Sequence, residues 1–256
     1  MLKDNLAMLR NLHGFSQEEL AEKINISRQA YAKWESGATI PDVEKCSRLA
    51  AFGVTSCASG REVLDCGAKA NVLSLYFDDP ANYDAWDIDI GYENQLLETA
   101  HGVNFEKISG ENGQTLVFEL SVGNSVVKQQ ISIGKDKKLE FKTAVTWNED
   151  HKMLRTSFPV NVHASEAIFD LQYGFIKRPT FCNTSWDMAR YEVVGHRYAD
   201  ISDSQYGVAL LNDCKYGYKV RNNVLDLTLL RSPKYPDFTA DLGEHEFTYA
   251  LLPHTG

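Results

Sequence analysis

Residues 15–37 run FSQEELAEKINISRQAYAKWESG, and this stretch decides the fold of the first part of the chain. Ser16 followed three residues later by Glu19 is typical of a capping box, in which each side chain accepts a hydrogen bond from the backbone N–H of the other. Ser27 is the next capping residue, and the helix that follows it extends to Glu35. The spacing predicts two short helices joined by a tight turn, a helix-turn-helix unit.

Residues on both sides of this unit extend the helical pattern. Pro41 is placed to open a further helix over residues 42–51, because proline is tolerated in a first turn. Tyr31 and Trp34 fall on the inward face and are predicted to be core residues. An apolar stripe at helical spacing precedes the unit and consists of Leu2, Leu6, Leu9 and Leu12. The first 52 residues are therefore predicted to form a small all-α domain of four helices.

The register of these residues carries a resemblance to a known family. Residues 15–24 and 27–37 closely resemble the lambda-repressor/Cro-like, or XRE-type, helix-turn-helix proteins. The resemblance implies a DNA-binding domain over residues 1–52 whose third helix enters the major groove, and a dimer, because one unit contacts only a half-site. It implies that Arg28, Gln29 and Lys33 face bases, which suits the bidentate pairing of arginine with guanine and glutamine with adenine. It also implies a phosphate contact for Gln17 and a place in the interface for Ser27, at the start of the helix.

Charge is divided unevenly along the chain. Residues 1–52 hold seven basic and seven acidic side chains, whereas the rest holds 19 basic and 28 acidic ones. Because neutralisation of phosphates supplies much of the affinity for DNA, the acidic remainder is expected to repel nucleic acid. Any DNA contact must come from a local face of the first part.

Cysteine usage and hydropathy indicate a reducing, cytoplasmic setting. The five cysteines are odd in number, scattered and free of Cys-x-x-Cys pairs, which argues against a disulfide framework and a zinc ribbon. No apolar run approaches the roughly 20 residues that a membrane span needs, and residues 1–5 lack the layout of a secretion signal. No membrane partner is expected.

From Val72 onward, alternation of apolar and polar residues replaces the helical period. Residues 115–120 and 139–145 predict strands with one buried face, and residues 112–113 and 134–136 predict hairpin turns. Further strands are predicted over residues 158–162, 167–171, 207–211, 224–230 and 246–252. Many short strands separated by turns predict a mainly antiparallel β-sandwich. The predicted fold class is multidomain, with a small all-α domain followed by this β-sandwich.

Ordered motifs over residues 53–256 resemble the C-terminal β domain of family 38 glycoside hydrolases, the α-mannosidases. They are residues 53–56, 61–64, 84–89, 178–180, 183–192, 206–217, 230–237 and 249–254. The resemblance implies an incomplete domain, because that family places its zinc site, nucleophile and general acid in an N-terminal domain without a counterpart here. It therefore implies no catalytic residue and no cofactor in this chain. Zinc belongs to the full-length enzymes, and the seven histidines lack a ligand spacing such as His-x-Asp.

Two polar segments of this part raise the question of sugar chemistry. Asp213, Lys215 and Tyr216 lie in a polar break between two apolar strands, which the resemblance makes a substrate-rim loop of the parent enzyme; the alternative is a turn that only packs. Asp87 and Asp89, two apart on a predicted strand, would share a face with a separation of roughly 6.6 Å. The family has its catalytic pair elsewhere, so a structural role is expected for both. A carbohydrate partner for this part of the chain is implied by the family resemblance alone.

Three interpretations of the whole chain stay open. In the first, it is a sequence-specific DNA-binding protein whose non-catalytic β domain senses a carbohydrate or mediates assembly. In the second, it is an α-mannosidase fragment that is active only with the missing catalytic domain. In the third, it is a chimeric or truncated gene product without an evolved joint function. The alternative to DNA binding for the helical part is a bundle that no longer binds DNA.

Overall fold

The computed structural model describes residue 10 and residues 15–24, 26–36, 61–65, 67–110, 113–134 and 136–255. The chain divides into two compact units, residues 1–54 and 55–256. The boundary predicted between residues 52 and 53 lies outside the described residues. Within the described part of the chain, no helix is both long enough and apolar enough to cross a membrane.

The first unit contains the two central helices that the sequence predicts. Helix α1 spans Gln17–Lys23 and helix α2 spans Arg28–Ser36. Ser16 Oγ accepts from the Glu19 N–H at 3.2 Å, and Glu19 Oε2 accepts from the Ser16 N–H at 2.7 Å, so the predicted capping box is present. The leucine stripe of residues 2–12 and the helix over residues 42–51 lie outside the described residues.

A small apolar core joins these two helices. Tyr31 and Trp34 are buried, as predicted, and their rings meet edge to face with centroids 6.1 Å apart. The buried set is Leu20, Ala21, Ile24, Tyr31 and Trp34. Burial of these side chains fixes α2 against α1, which leaves the opposite side of α2 exposed.

The second unit, called the β domain here, consists of two antiparallel sheets. The strands are β1 Val72–Phe77, β2 Leu96–Thr99, β3 His101–Gly110, β4 Gly113–Val122, β5 Ser125–Ile133, β6 Leu139–Trp147, β7 Lys152–Pro159, β8 Glu166–Leu171, β9 Gly174–Pro179, β10 Val193–Val194, β11 Tyr198–Ser202, β12 Gly207–Asn212, β13 Gly217–Arg221, β14 Val224–Arg231 and β15 Gly243–His254. The six-stranded sheet has the order β10-β13-β14-β7-β1-β2, and the nine-stranded sheet has the order β3-β4-β5-β6-β15-β12-β11-β8-β9.

The main core lies between these two sheets. Phe158 of the six-stranded sheet contacts Phe141 and Tyr249 of the nine-stranded sheet, with ring centroids 5.4 Å and 6.2 Å apart. Tilted and edge-to-face aromatic pairs of this kind stabilise a core beyond the burial of their area. The structure confirms the predicted fold class, a small helical unit followed by an antiparallel β-sandwich.

Two predicted strands differ from the structure, and the first is residues 87–89, which are irregular. Residues 158–162 were predicted as a strand, but β7 ends at Pro159. Val160 then forms only an isolated bridge with Leu64. Proline has no N–H to donate to a ladder, so it ends the strand here. The other predicted strands lie within β4, β6, β8, β12, β14 and β15.

The outer face of the six-stranded sheet is also covered. Four consecutive residues of β7, from Met153 to Thr156, are buried. Alternation places Leu154 and Thr156 between the sheets and places Met153 and Arg155 on the outer face. A 3-10 helix, Ile90–Asn94, and a short helix α3, Ser185–Met188, belong to the two segments that cover this face.

Candidate functional site

The exposed face of α2 is the candidate nucleic-acid interface. Arg28, Gln29 and Lys33 are all exposed. At about 100° per residue they fall within an arc of about 140°, on the side of the helix away from Tyr31 and Trp34. The structure therefore brings together the three residues that were predicted to face bases.

Two other predicted contact residues make hydrogen bonds within the unit. Ser27 Oγ accepts from the Ala30 N–H at 3.2 Å, so Ser27 caps α2. Gln17 Nε2 donates to Glu35 Oε2 at 2.6 Å, and Arg10 Nε donates to Glu35 Oε1 at 2.7 Å. Gln17 therefore ties the start of α1 to the end of α2, and its phosphate contact stays a prediction.

Glu35 is held as a carboxylate at the centre of this cluster. Burial raises the pKa of Glu35, but the charge of Arg10 and the hydrogen bonds from Arg10, Gln17 and Tyr31 together outweigh burial and lower it. Sequence reasoning missed this cluster, because Arg10 and Glu35 are far apart in the chain and nothing local signals their pairing.

The predicted substrate-rim loop connects β12 to β13. Asp213 Oδ2 accepts from the Thr248 N–H at 2.9 Å, and the Lys215 ammonium lies 4.3 Å from the centre of the Phe247 ring. Burial lowers the pKa of Lys215. Asp213 and Lys215 thus contact β15.

Tyr216 is the residue of this loop that is left on the surface. It is 57% exposed, and its ring meets His196 edge to face with centroids 5.2 Å apart. The contacts of Asp213 and Lys215 give the loop a packing role, and a sugar contact for Asp213, Lys215 and Tyr216 stays a prediction.

Asp87 and Asp89 do not lie on a strand. They belong to an irregular segment that leads into the 3-10 helix, and Asp87 Oδ1 accepts from the Ile88 N–H at 2.9 Å. The strand geometry assumed for the pair is therefore wrong. Arg231 explains the irregular path, because its Nη2 donates to the Asp87 carbonyl oxygen at 2.7 Å.

A buried polar network lies on the outer face of the six-stranded sheet. Arg155 Nη1 is 2.8 Å from Glu192 Oε2 and also donates to Thr228 Oγ1 at 2.8 Å. The Tyr92 hydroxyl donates to Glu192 Oε1 at 2.5 Å. Burial lowers the pKa of Arg155, but Glu192, Tyr92 and Asp226 together outweigh burial and raise it. Arg155 stays charged although it is almost fully buried.

Lys219 extends this network toward solvent. Its ammonium lies 2.6 Å from Glu93 Oε1, 3.3 Å from Asp226 Oδ2 and 3.2 Å from the Tyr92 hydroxyl. Lys219 and Asp226 are directly opposite each other on β13 and β14. Burial lowers the pKa of Lys219, but Asp226 and Glu93 outweigh burial and raise it.

A groove of about 450 Å³ opens beside Lys219, and we call it the β13–β14 groove. Its floor is formed by Lys219, Arg221 and Asp226, and its walls include Ile90, Met188 and Tyr191. The groove could not be predicted from the sequence. Charged residues that alternate along a strand give the same pattern whether that face of the sheet is exposed to solvent or covered by other segments.

The described residues do not fit a zinc site. Among them, no three His, Cys, Asp or Glu side chains are grouped so that they could hold a metal ion. Zinc sites require three or four such ligands.

Comparison with models of protein families assigns the β domain to a known family. The model for the glycosyl hydrolases family 38 C-terminal domain matches residues 54–239, which is most of the chain. The chain belongs to this family. The family 38 domain is preceded by a helix-turn-helix match over residues 6–53. Both resemblances predicted from the sequence are therefore confirmed.

Relatives of the family 38 domain include α-mannosidases that are much longer than this chain. Alpha-mannosidase 2C1 of Mus musculus is 44% identical over 204 residues, which cover 78% of this chain and 20% of that protein. Alpha-mannosidase of Saccharomyces cerevisiae is 37% identical over 198 residues, 73% of this chain and 18% of that protein. The chain thus spans about a fifth of the length of these relatives.

Two further similarities concern the fold and the first unit. The crystal structure of an alpha-mannosidase from Enterococcus faecalis superposes with a TM-score of 0.63 at 14% identity, over 78% of this chain and 27% of that one. It supports the fold of the family 38 domain. HTH-type transcriptional activator BcrR of Enterococcus faecalis is 35% identical over 75 residues, 28% of this chain and 37% of that protein.

Proposed function

We propose that the chain binds DNA in a sequence-specific manner through residues 1–52, as a dimer, and that residues 53–256 form a domain that is not catalytic by itself. One observation carries the first proposal: Arg28, Gln29 and Lys33 form one exposed face on α2, opposite its buried residues. The name of BcrR, a transcriptional activator, supports it. Exposed thiols at Cys182 and Cys214 support a reducing, cytoplasmic setting.

The chemistry of this face suits base contacts in the major groove. Arg28 offers a planar fork that matches guanine, and Gln29 offers an amide that matches adenine. Ala32 lies between them on the helix surface and is small enough to let the backbone approach a groove wall. A single helix of this kind contacts one half-site, so we infer a two-fold symmetric operator.

Selection from random duplex DNA with the full chain tests this proposal. We expect one consensus to be enriched, with affinity that falls steeply as salt rises, because Lys and Arg displace counterions from phosphates. Arg28→Ala and Gln29→Ala should each weaken binding to the selected site by about tenfold, since one bidentate pair contributes about 1–3 kcal/mol of discrimination. Fluorescence anisotropy titrations measure these affinities.

Arg197→Ala is the matched control for charge. Arg197 is exposed, lies in the β domain and pairs with Asp170 at 3.1 Å, so its loss changes the net charge equally without touching α2. We expect its affinity to equal that of the wild type. Equal affinity for the selected and scrambled duplexes in the wild type, or no change in Arg28→Ala and Gln29→Ala, would contradict the proposal.

A second candidate function is favoured by the 44% identity with Alpha-mannosidase 2C1. In this case the family 38 domain takes part in α-mannoside hydrolysis. It does so together with protein regions that the α-mannosidases contain and that this chain does not match. Carbohydrate binding by the β domain belongs to this candidate.

For the purified chain alone, we expect no hydrolysis of 4-nitrophenyl α-D-mannoside, with or without added Zn²⁺. The physical reason is that the described residues offer no ligand group for the metal that polarises the substrate, and the family resemblance assigns the nucleophile to another domain. Release of nitrophenol measures the outcome. Zinc-dependent turnover that persists after repeated purification, and is missing from a mock preparation, would show that the assignment is wrong.

A further inference from the structure

We propose that the β13–β14 groove binds a small organic acid that carries hydroxyl groups, and that Arg221 holds its carboxylate. This inference is independent of DNA binding. The groove volume of about 450 Å³ lies within the range of about 300–1,000 Å³ that is typical of small-molecule sites.

Arg221 is the first part of the argument. It is the last residue of β13, it lines the groove, and its guanidinium makes no hydrogen bond or ion pair with any of the described residues. A guanidinium offers a rigid fork of donors that pairs with both oxygens of a carboxylate. The Arg221 guanidinium is therefore an unpaired cation whose shape matches a carboxylate.

The position of Arg221 is fixed by the hairpin that follows it. Asn222 has φ +54°, and Asn223 is buried with its Nδ2 donating to the Val160 carbonyl oxygen at 2.9 Å and to Asp65 Oδ2 at 3.2 Å. These hydrogen bonds hold the turn between β13 and β14 in place. They fix the backbone from which the Arg221 side chain extends, so that no backbone freedom of the turn is lost when a ligand binds.

The remaining lining supplies partners for hydroxyl groups and for a carbon skeleton. Lys219 holds Glu93 and Asp226 in place, and each carboxylate keeps lone pairs that can accept from a hydroxyl. Ile90, Met188 and Tyr191 supply apolar surface. The lining contains two cationic and two anionic side chains, so the groove has no net charge. Selectivity for an acid therefore comes from the guanidinium of Arg221 and not from a net positive charge.

Calorimetric titration of the full chain with three probes tests this inference. D-Glucuronate has both features, D-glucose has hydroxyl groups without the carboxylate, and acetate has the carboxylate without hydroxyl groups. We expect glucuronate to bind at least about tenfold more tightly than either of the others, because a hydrogen bond to a charged group contributes about that factor. Equal binding of glucuronate and glucose, or no binding of glucuronate, would overturn the inference.

Variants of Arg221 locate the binding in the groove. Arg221→Gln should abolish the preference for glucuronate over glucose, and Arg221→Lys should retain part of it, because lysine keeps the charge and loses the fork. Arg197→Gln removes an exposed arginine outside the groove and should leave the preference intact. If the circular dichroism spectrum shows that Arg221→Gln is misfolded, the preference of Arg221→Lys for glucuronate over glucose is the test. An unchanged preference in a folded Arg221 variant would refute the assignment.

Discussion

Glu192→Gln is expected to lower the free energy of unfolding of the β domain by about 3 kcal/mol, because it leaves the charge of Arg155 buried without its counter-ion. Arg155 is 3% exposed, and the Glu192 side chain is 12% exposed, so solvent screens this pair little. The substitution keeps the shape of the side chain and an oxygen that accepts from Tyr92. Urea unfolding followed by circular dichroism measures the change.

A matched control and a double variant separate the ion pair from other effects. Glu166 pairs with Lys177 at 3.7 Å on the surface, with both side chains 55% exposed, so Glu166→Gln should change the free energy by less than about 0.5 kcal/mol. Arg155→Met in the Glu192→Gln background should cost less than it does in the wild type, since the charge that needed Glu192 is gone. Additive effects of the two substitutions would contradict the coupling.

The same ion pair links the fold to the β13–β14 groove. Glu192 and Tyr92 belong to the two covering segments, and Arg155 and Lys219 belong to the sheet beneath them. The network therefore holds the cover on the sheet at the position where the groove opens. Moving charged side chains out of water costs free energy, so this network contributes little net stability to the folded domain. Its main effect is to fix the positions of the residues that form it.

The helical unit could be predicted largely from the sequence because its signals are local. The capping box of Ser16 and Glu19 and the inward positions of Tyr31 and Trp34 lie within a few residues of the elements that they define. Gln17 marks the limit of such reasoning. Its amide bonds to Glu35, a residue from the far end of α2, and a helix-start pattern contains no information about that partner.

For the β domain, the sequence predicted the fold class but not the groove. Alternation in β14 indicated one buried face, and the structure buries Leu225 and Leu227 between the sheets. It could not indicate that Asp226, on the other face, is covered as well. That depends on two segments, around Tyr92 and Glu192, that return to the sheet from distant parts of the chain.

Gln129→Leu is the second substitution with a large expected effect, a loss of about 2–4 kcal/mol in the free energy of unfolding. Gln129 Nε2 donates to the Tyr249 hydroxyl at 2.8 Å and to Thr143 Oγ1 at 3.0 Å, and its Oε1 accepts from Asn71 Nδ2 at 2.6 Å. Leucine would leave buried polar groups without these partners, and each such group costs about 1–3 kcal/mol. Gln130→Leu, at the exposed position next in the same strand, is the control and should leave the urea midpoint nearly unchanged. Equal midpoints for the two variants would mean that this network between the sheets does not stabilise the domain.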